Sequence, residues 1–224
     1  MIPIKDDQPT TTFPIVTIGI VALNLVVYIY QLSLGPYEQE FIYRWGTIPY
    51  EFTHFQDIGP EAPLSIPFTI FSAMFMHGSI PHLLGNMLYL WIFGDNLEDY
   101  LGRLRFILFY IAAGIAAALA QIILDIDSQI PMIGASGAIA GVLGGYALLF
   151  PRARVLTLFI FFFIPRLIHL PALFFLGIWF LFQMLSSGSG GGVAWFAHIG
   201  GFVAGILLVP FLQPHRWRRV RYLH

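Results

Sequence analysis

Residues 133–146 read IGASGAIAGVLGGY. Apart from Ser136 and Tyr146, every residue there is apolar or glycine. With ALLF after it, the stretch runs unbroken to Pro151-Arg152 and is a candidate membrane span. A run bound for lipid has no ordinary use for a hydroxyl at its start or for so many glycines. The reasons have to come from the rest of the chain.

Hydrophobic residues make up 58% of the 224 residues and charged residues only 10%, with a mean hydropathy of +0.77. A soluble domain of this size carries far more charge, so the composition implies a polytopic membrane protein. The chain has no cysteine, which excludes disulfides, thiol nucleophiles and thiolate metal sites. The opening MIPIKDDQPTTTF has no basic region before its first apolar stretch, so no cleavable signal or transit peptide is expected.

A helix needs about 20 apolar residues to cross about 30 Å of hydrocarbon. Runs of that kind lie near 14–34, 80–98, 104–124, 134–150, 167–186 and 193–212, which predicts an all-α bundle of six transmembrane helices. The stretch VLTLFIFFFI (155–164) is apolar but has only ten residues before Pro165-Arg166, so it reads as interfacial or re-entrant. The connection 35–66 is long, polar and aromatic, and reads as a functional, membrane-associated first loop. The organisation is thus a tail at 1–13, one six-span domain over 14–212 and a basic tail at 213–224. Ten of the eleven basic residues fall on the side that holds both tails and the 99–103 and 151–166 connections; only Arg44 lies opposite. Basic flanks resist translocation, so both termini are expected in the cytosol and the protein in the plasma (inner) membrane.

A polar side chain within a span is costly and needs a reason. All twelve Asp and Glu residues fall in loops or at span ends, leaving Asn24, His82, Asn86, Gln121, Ser136, Gln183 and His198. Asn24 and the two glutamines are isolated and read as interhelical hydrogen-bonding residues. The other four share a depth. Counted from the cytosolic end of each span at 1.5 Å per residue, Ser136, His198 and Asn86 stand about 22, 21 and 20 Å up, with His82 one turn higher. Gly137, Gly141 and Gly145 form one small-residue stripe, Ser136, Ala140 and Gly144 a second, and His198, Gly201 and Gly205 a third on the last span. Such stripes let backbones approach closely in lipid. If they meet, Ser136 and His198 meet as a nucleophile and a general base would. Taken alone, the glycine stripe favours ordinary tight packing, with Ser136 as just another small residue. His82 and Asn86, at i and i+4, share a face, and both can donate hydrogen bonds to a developing oxyanion.

GASG around Ser136, AHIGGFVAG around His198 and HGSIPHLLGNMLYLWIFGDNLED (77–99) resemble the motifs of the rhomboid intramembrane serine proteases. The likeness runs from about Tyr43 to Phe211, in order and on the right spans. It implies Ser136 as nucleophile and His198 as base, a dyad with no carboxylate, with His82, Asn86 and the Ser136 N–H as oxyanion hole. The acid census, which leaves no buried Asp or Glu to orient the histidine, agrees. The resemblance implies no cofactor and no metal. It implies single-span or polytopic membrane proteins as substrates within a lipid bilayer, with no nucleic acid involved. Arg44-Trp45 resembles the basic and aromatic pair of the family's first loop in reversed order. Some members carry a tyrosine one turn after the nucleophile; here that position is Ala140, so any ring beside His198 must come from elsewhere. The chain resembles the minimal six-span prokaryotic form.

Two other readings remain open. A catalytically inactive rhomboid-like binding or quality-control protein usually lacks the Ser or the His, and both are present here. A transporter would need a polar pathway to both faces, whereas these polar groups cluster in one half.

Overall fold

The structure is a computed structural model and describes residues 1–60, 65–162, 164–186 and 193–213. Long helices stand where the apolar runs lie: α1 (Ile15–Ser33), α5 (Ile80–Leu101), α6 (Arg103–Leu124), α7 (Ser136–Leu149), α8 (Ala172–Ser186) and α9 (Trp195–Leu212). Three of these, α1, α6 and α9, are long and apolar enough by themselves to cross a membrane, and α7 and α8 are shorter apolar helices. Between α1 and α5 the first connection folds into α2 (Glu38–Trp45), α3 (Pro49–His54) and α4 (Thr69–Ala73).

The all-α expectation misses one feature. Ile2–Asp6 (β1), Arg154–Phe161 (β2) and Ile164–Pro171 (β3) form an antiparallel sheet in the order β1-β2-β3. Within that apolar stretch, 155–161 is therefore strand, Phe162 lies in a turn and Ile164 begins the next strand, in place of a re-entrant segment. Pairing on both sides satisfies the backbone groups of β2, which a lone re-entrant segment could not do. It also moves the start of the fifth long helix from 167 to Ala172. Val155 and Thr157 face inward and are fully buried, while Ile160 and Leu167 face outward.

Residues 1–13, expected as a tail, are tied down by carboxylates of α5. Asp99 accepts hydrogen bonds from the hydroxyls and backbone N–H groups of Thr11 and Thr12. Glu98 accepts from the N–H groups of Val16 and Thr17 and from the Thr17 hydroxyl, so it supplies partners for the first turn of α1. Tyr146, at the far end of α7, donates its hydroxyl to Asp6 of β1. Burial pushes the Asp6 carboxyl above the usual aspartate range, with the Tyr146 hydrogen bond opposing that rise. Above these groups, Phe93, Tyr146 and Phe175 bring α5, α7 and α8 together in a ring cluster.

The glycine stripes have a direct structural meaning. Lipid is as apolar as leucine, so helices in it associate through close packing more than through apolar burial. A Cβ on Gly201 would run into the Gly137 carbonyl oxygen, one on Gly205 into that of Gly141, and one on Gly144 into that of Phe202. The backbones of α7 and α9 touch along the predicted stripes. Gly200 makes the same approach to α6, where a Cβ would strike Ala120.

At the other end from the sheet, the first connection leans on residues 126–132. Thr47 and Met132 exchange both backbone hydrogen bonds, at 3.1 and 2.7 Å. Tyr50 N–H donates to the Ser128 carbonyl and Thr53 Oγ1 to that of Ile126. Glu51 is buried there and accepts from the Ile58 N–H. Burial raises its carboxyl above the usual range.

Candidate active site

Ser136 is the first residue of α7, so its N–H has no partner inside the helix and the positive end of the macrodipole lies beside it. What delivers it there is the loop 131–135. Gly134 N–H donates to the Ala73 carbonyl at 2.8 Å, with Gly134 at φ +127°, a conformation that a side chain resists. Its bare Cα is needed twice. A Cβ at that position would sit 2.8 Å from the His82 ring and 3.6 Å from Ser136 Oγ.

His198 projects from the first turns of α9. Its Nε2 lies 2.8 Å from Ser136 Oγ, and its Nδ1 lies 2.7 Å from Gln183 Oε1 on α8. The start of α9 is held by Gln121, whose Oε1 accepts from the Ala197 N–H at 3.2 Å. Two rings flank the imidazole: Trp195 edge-on at 6.0 Å between centroids and Trp179 tilted at 6.1 Å. They supply, from α9 and α8, the aromatic neighbours that Ala140 does not.

His82 and Asn86 come from α5, whose first turn is capped by the Ser79 hydroxyl accepting from the His82 N–H. Both line a cavity of about 750 Å³ together with Ser136 and His198. Asn86 Nδ2 is 2.9 Å from His77 Nε2, and the His77 ring lies edge-on to that of His82. His77 is itself clamped from α1: Gln31 Nε2 donates to its carbonyl and Gln31 Oε1 accepts from its N–H. Gly78, Ser79, Pro131, Met132 and Trp195 also line the cavity. From the connection at 35–66 only Thr47 reaches the lining among the described residues.

All four residues singled out in the sequence thus line one cavity, with Ser136 and His198 in hydrogen-bond contact. Arg44 lies apart, paired with Glu40 one turn back on α2 at 3.0 Å, and the Trp45 carbonyl accepts from the Ser72 hydroxyl. The census of acids needs correcting, because Glu51 and Glu98 are both buried. Each is occupied elsewhere, by the Ile58 N–H and by the start of α1. The residue that reaches His198 is Gln183, which the sequence marks as an interhelical hydrogen-bonding residue but not as part of the site. Its signal was available. Gln183 lies sixteen residues beyond the predicted span start at 167, about 24 Å up, close to the depth that drew attention to the other four. His77 precedes α5 and lies outside the predicted span at 80–98.

Comparison with known proteins agrees with these motifs. The Rhomboid domain family model matches residues 66–215. Rhomboid protein 1, mitochondrial, of Saccharomyces cerevisiae is 34% identical over 168 residues, covering 68% of this chain and 45% of that protein. RHOMBOID-like protein 4 of Arabidopsis thaliana is 33% identical over 150 residues, covering 65% and 34%. Rhomboid protease GluP of Bacillus subtilis is 45% identical over 69 residues, covering 31% and 13%. The matched stretch takes in less than half of each of these relatives.

Proposed function

The chain belongs to the rhomboid family, and we propose that it is an intramembrane serine protease. It would hydrolyse peptide bonds in or near the transmembrane segments of single-span or polytopic membrane proteins. The observation that supports this reading is the 2.8 Å contact between His198 Nε2 and Ser136 Oγ. A serine hydroxyl is a poor nucleophile alone, and hydrocarbon disfavours its alkoxide. With an imidazole lone pair against it, the proton can leave as the oxygen attacks.

Ser136 Oγ bonds to the scissile carbonyl carbon while His198 Nε2 takes its proton. The resulting oxyanion is held by the Ser136 N–H, by His82 and by Asn86, aided by the N-terminus of α7. The intermediate collapses, the C–N bond breaks, and the amine leaves with the proton from His198. Water, deprotonated by the same nitrogen, then releases the acyl group. We place the six long helices across the plasma (inner) membrane with both termini in the cytosol. The fourteen residues of α7 span about 21 Å, short of a ~30 Å core, so Ser136 would begin its helix below the outer surface. The cavity would bring water to it there.

A fluorophosphonate tests the reading, since phosphonylation needs an activated serine. Labelling is expected at Ser136, abolished by His198→Ala, with the other serines unmodified. An inert Ser136 in folded protein, or one labelled as well without His198, would replace the protease with an inactive rhomboid-like binding protein.

A further inference from the structure

Gln183 is only 5% exposed, and both ends of its amide are engaged. Its Nε2 lies 3.4 Å from the Trp179 carbonyl oxygen and its Oε1 lies 2.7 Å from His198 Nδ1. A backbone carbonyl can only accept, so the amide must turn its NH2 toward Trp179 and its oxygen toward His198. An amide oxygen can only accept in turn, so His198 must carry its proton on Nδ1. That leaves Nε2 bare, with its lone pair on the Ser136 hydroxyl 2.8 Å away. The peptide backbone of α8 thereby dictates the tautomer of an imidazole on α9.

We propose that Gln183 is a positioning residue that holds His198 in its base-competent tautomer, extending the pair to a Ser136–His198–Gln183 relay. This deepens the protease reading and rests on it. In serine hydrolases with a buried aspartate, that acceptor both orients the ring and stabilises the imidazolium by its full charge. Gln183 does the first and brings only a dipole to the second. Among the described residues no carboxylate competes for the position. The other titratable group acting on His198 is His82 of α5. From the remaining neighbours come Ser136 on α7, Trp179 and Gln183 on α8 and Trp195 on α9 itself, none of which titrates near neutrality, while Gln121 of α6 is occupied at Ala197.

Two substitutions separate orientation from packing. Gln183→Met keeps the length and apolar stem but has no strong acceptor. It is expected to lower kcat on a single-span test substrate about 10–10²-fold with KM within roughly two-fold, the signature of a defect confined to the transition state. Gln183→Glu keeps the acceptor and adds charge. It should retain most of the activity while the acid limb of the pH profile of kcat/KM moves upward by about one unit, because a carboxylate favours the imidazolium. Wild-type kcat and pH profile in Gln183→Met, with Ser136 still labelled by fluorophosphonate in the unsubstituted protein, would overturn the positioning role and leave the protease reading intact. Loss of labelling in the unsubstituted protein would overturn both. Should Gln183→Met fail to fold, the Gln183→Glu profile decides: an upward shift upholds the proposal and an unshifted limb sinks it.

Discussion

Asn86 has two amide protons, and the hydrogen bond to His77 uses one of them. The other is free to serve a charge that develops in the cavity. The His77 contact fixes the plane of the amide, and Gln31 fixes His77 in turn, so in the proposed reaction the donor would need no reorganisation as an oxyanion formed. Asn86→Ala is accordingly expected to lower kcat far more than it changes KM, by about 2.7–4 kcal/mol of transition-state stabilisation, read from steady-state kinetics on a test substrate. An equal loss of thermal stability, with little change in kcat per folded molecule, would make Asn86 a packing residue. The residues that give this site its chemistry were legible as residues, because a histidine or asparagine stranded in an apolar run is conspicuous. Which of them touch was not. Depth along its span marks Gln183 as a candidate, but only the distances to His198 and Asn86 assign Gln183 and His77 their partners.

At the scale of helices, the approach of α7 to α9 is what brings Ser136 and His198 together, and it depends on missing side chains. Gly205→Ala would press a methyl group against the Gly141 carbonyl and force the two backbones apart. Such overpacking typically costs about 1–3 kcal/mol, so thermal unfolding in detergent should show a clear fall in Tm and activity should fall with it. Gly177→Ala on α8 is the control. Nothing lies within 4 Å of the added carbon, and the substitution should be neutral or stabilising by roughly 0.4–1 kcal/mol. Equal shifts in Tm from the two would mean that the close approach is not what holds α7 to α9. The stripes were readable because a period of three and four is a property of the chain. The sheet was not, since a short apolar run suits a buried strand as well as a short helix. Its partner β1 lies some 150 residues away, where no local pattern points to it.

For the whole molecule, the sheet ties the N-terminal residues to 154–171, so both lie at one end of the bundle, and the 126–134 loop lies at the other, where residues 131–134 line the cavity. The chain has no cysteine, so a single introduced thiol reports its own side of the membrane. With Gln129→Cys, an impermeant maleimide should label intact cells; with Thr10→Cys, it should label only after permeabilisation. The reverse pattern would invert the orientation that the basic residues imply. The sequence by itself determined that this is a membrane-spanning chain, where its apolar helices run, which of their faces are smooth enough to touch, and which polar groups are stranded among them. Those are consequences of composition and period, and both are written along the chain. Only the tertiary structure decided that α8 brings an amide to His198, that Glu98 and Asp99 secure the start of α1, and that Ile2–Asp6 closes a sheet. A hydrogen bond is specific to a few tenths of an ångström and joins residues far apart in the chain, so it exists only once the packing of the helices has fixed the distances.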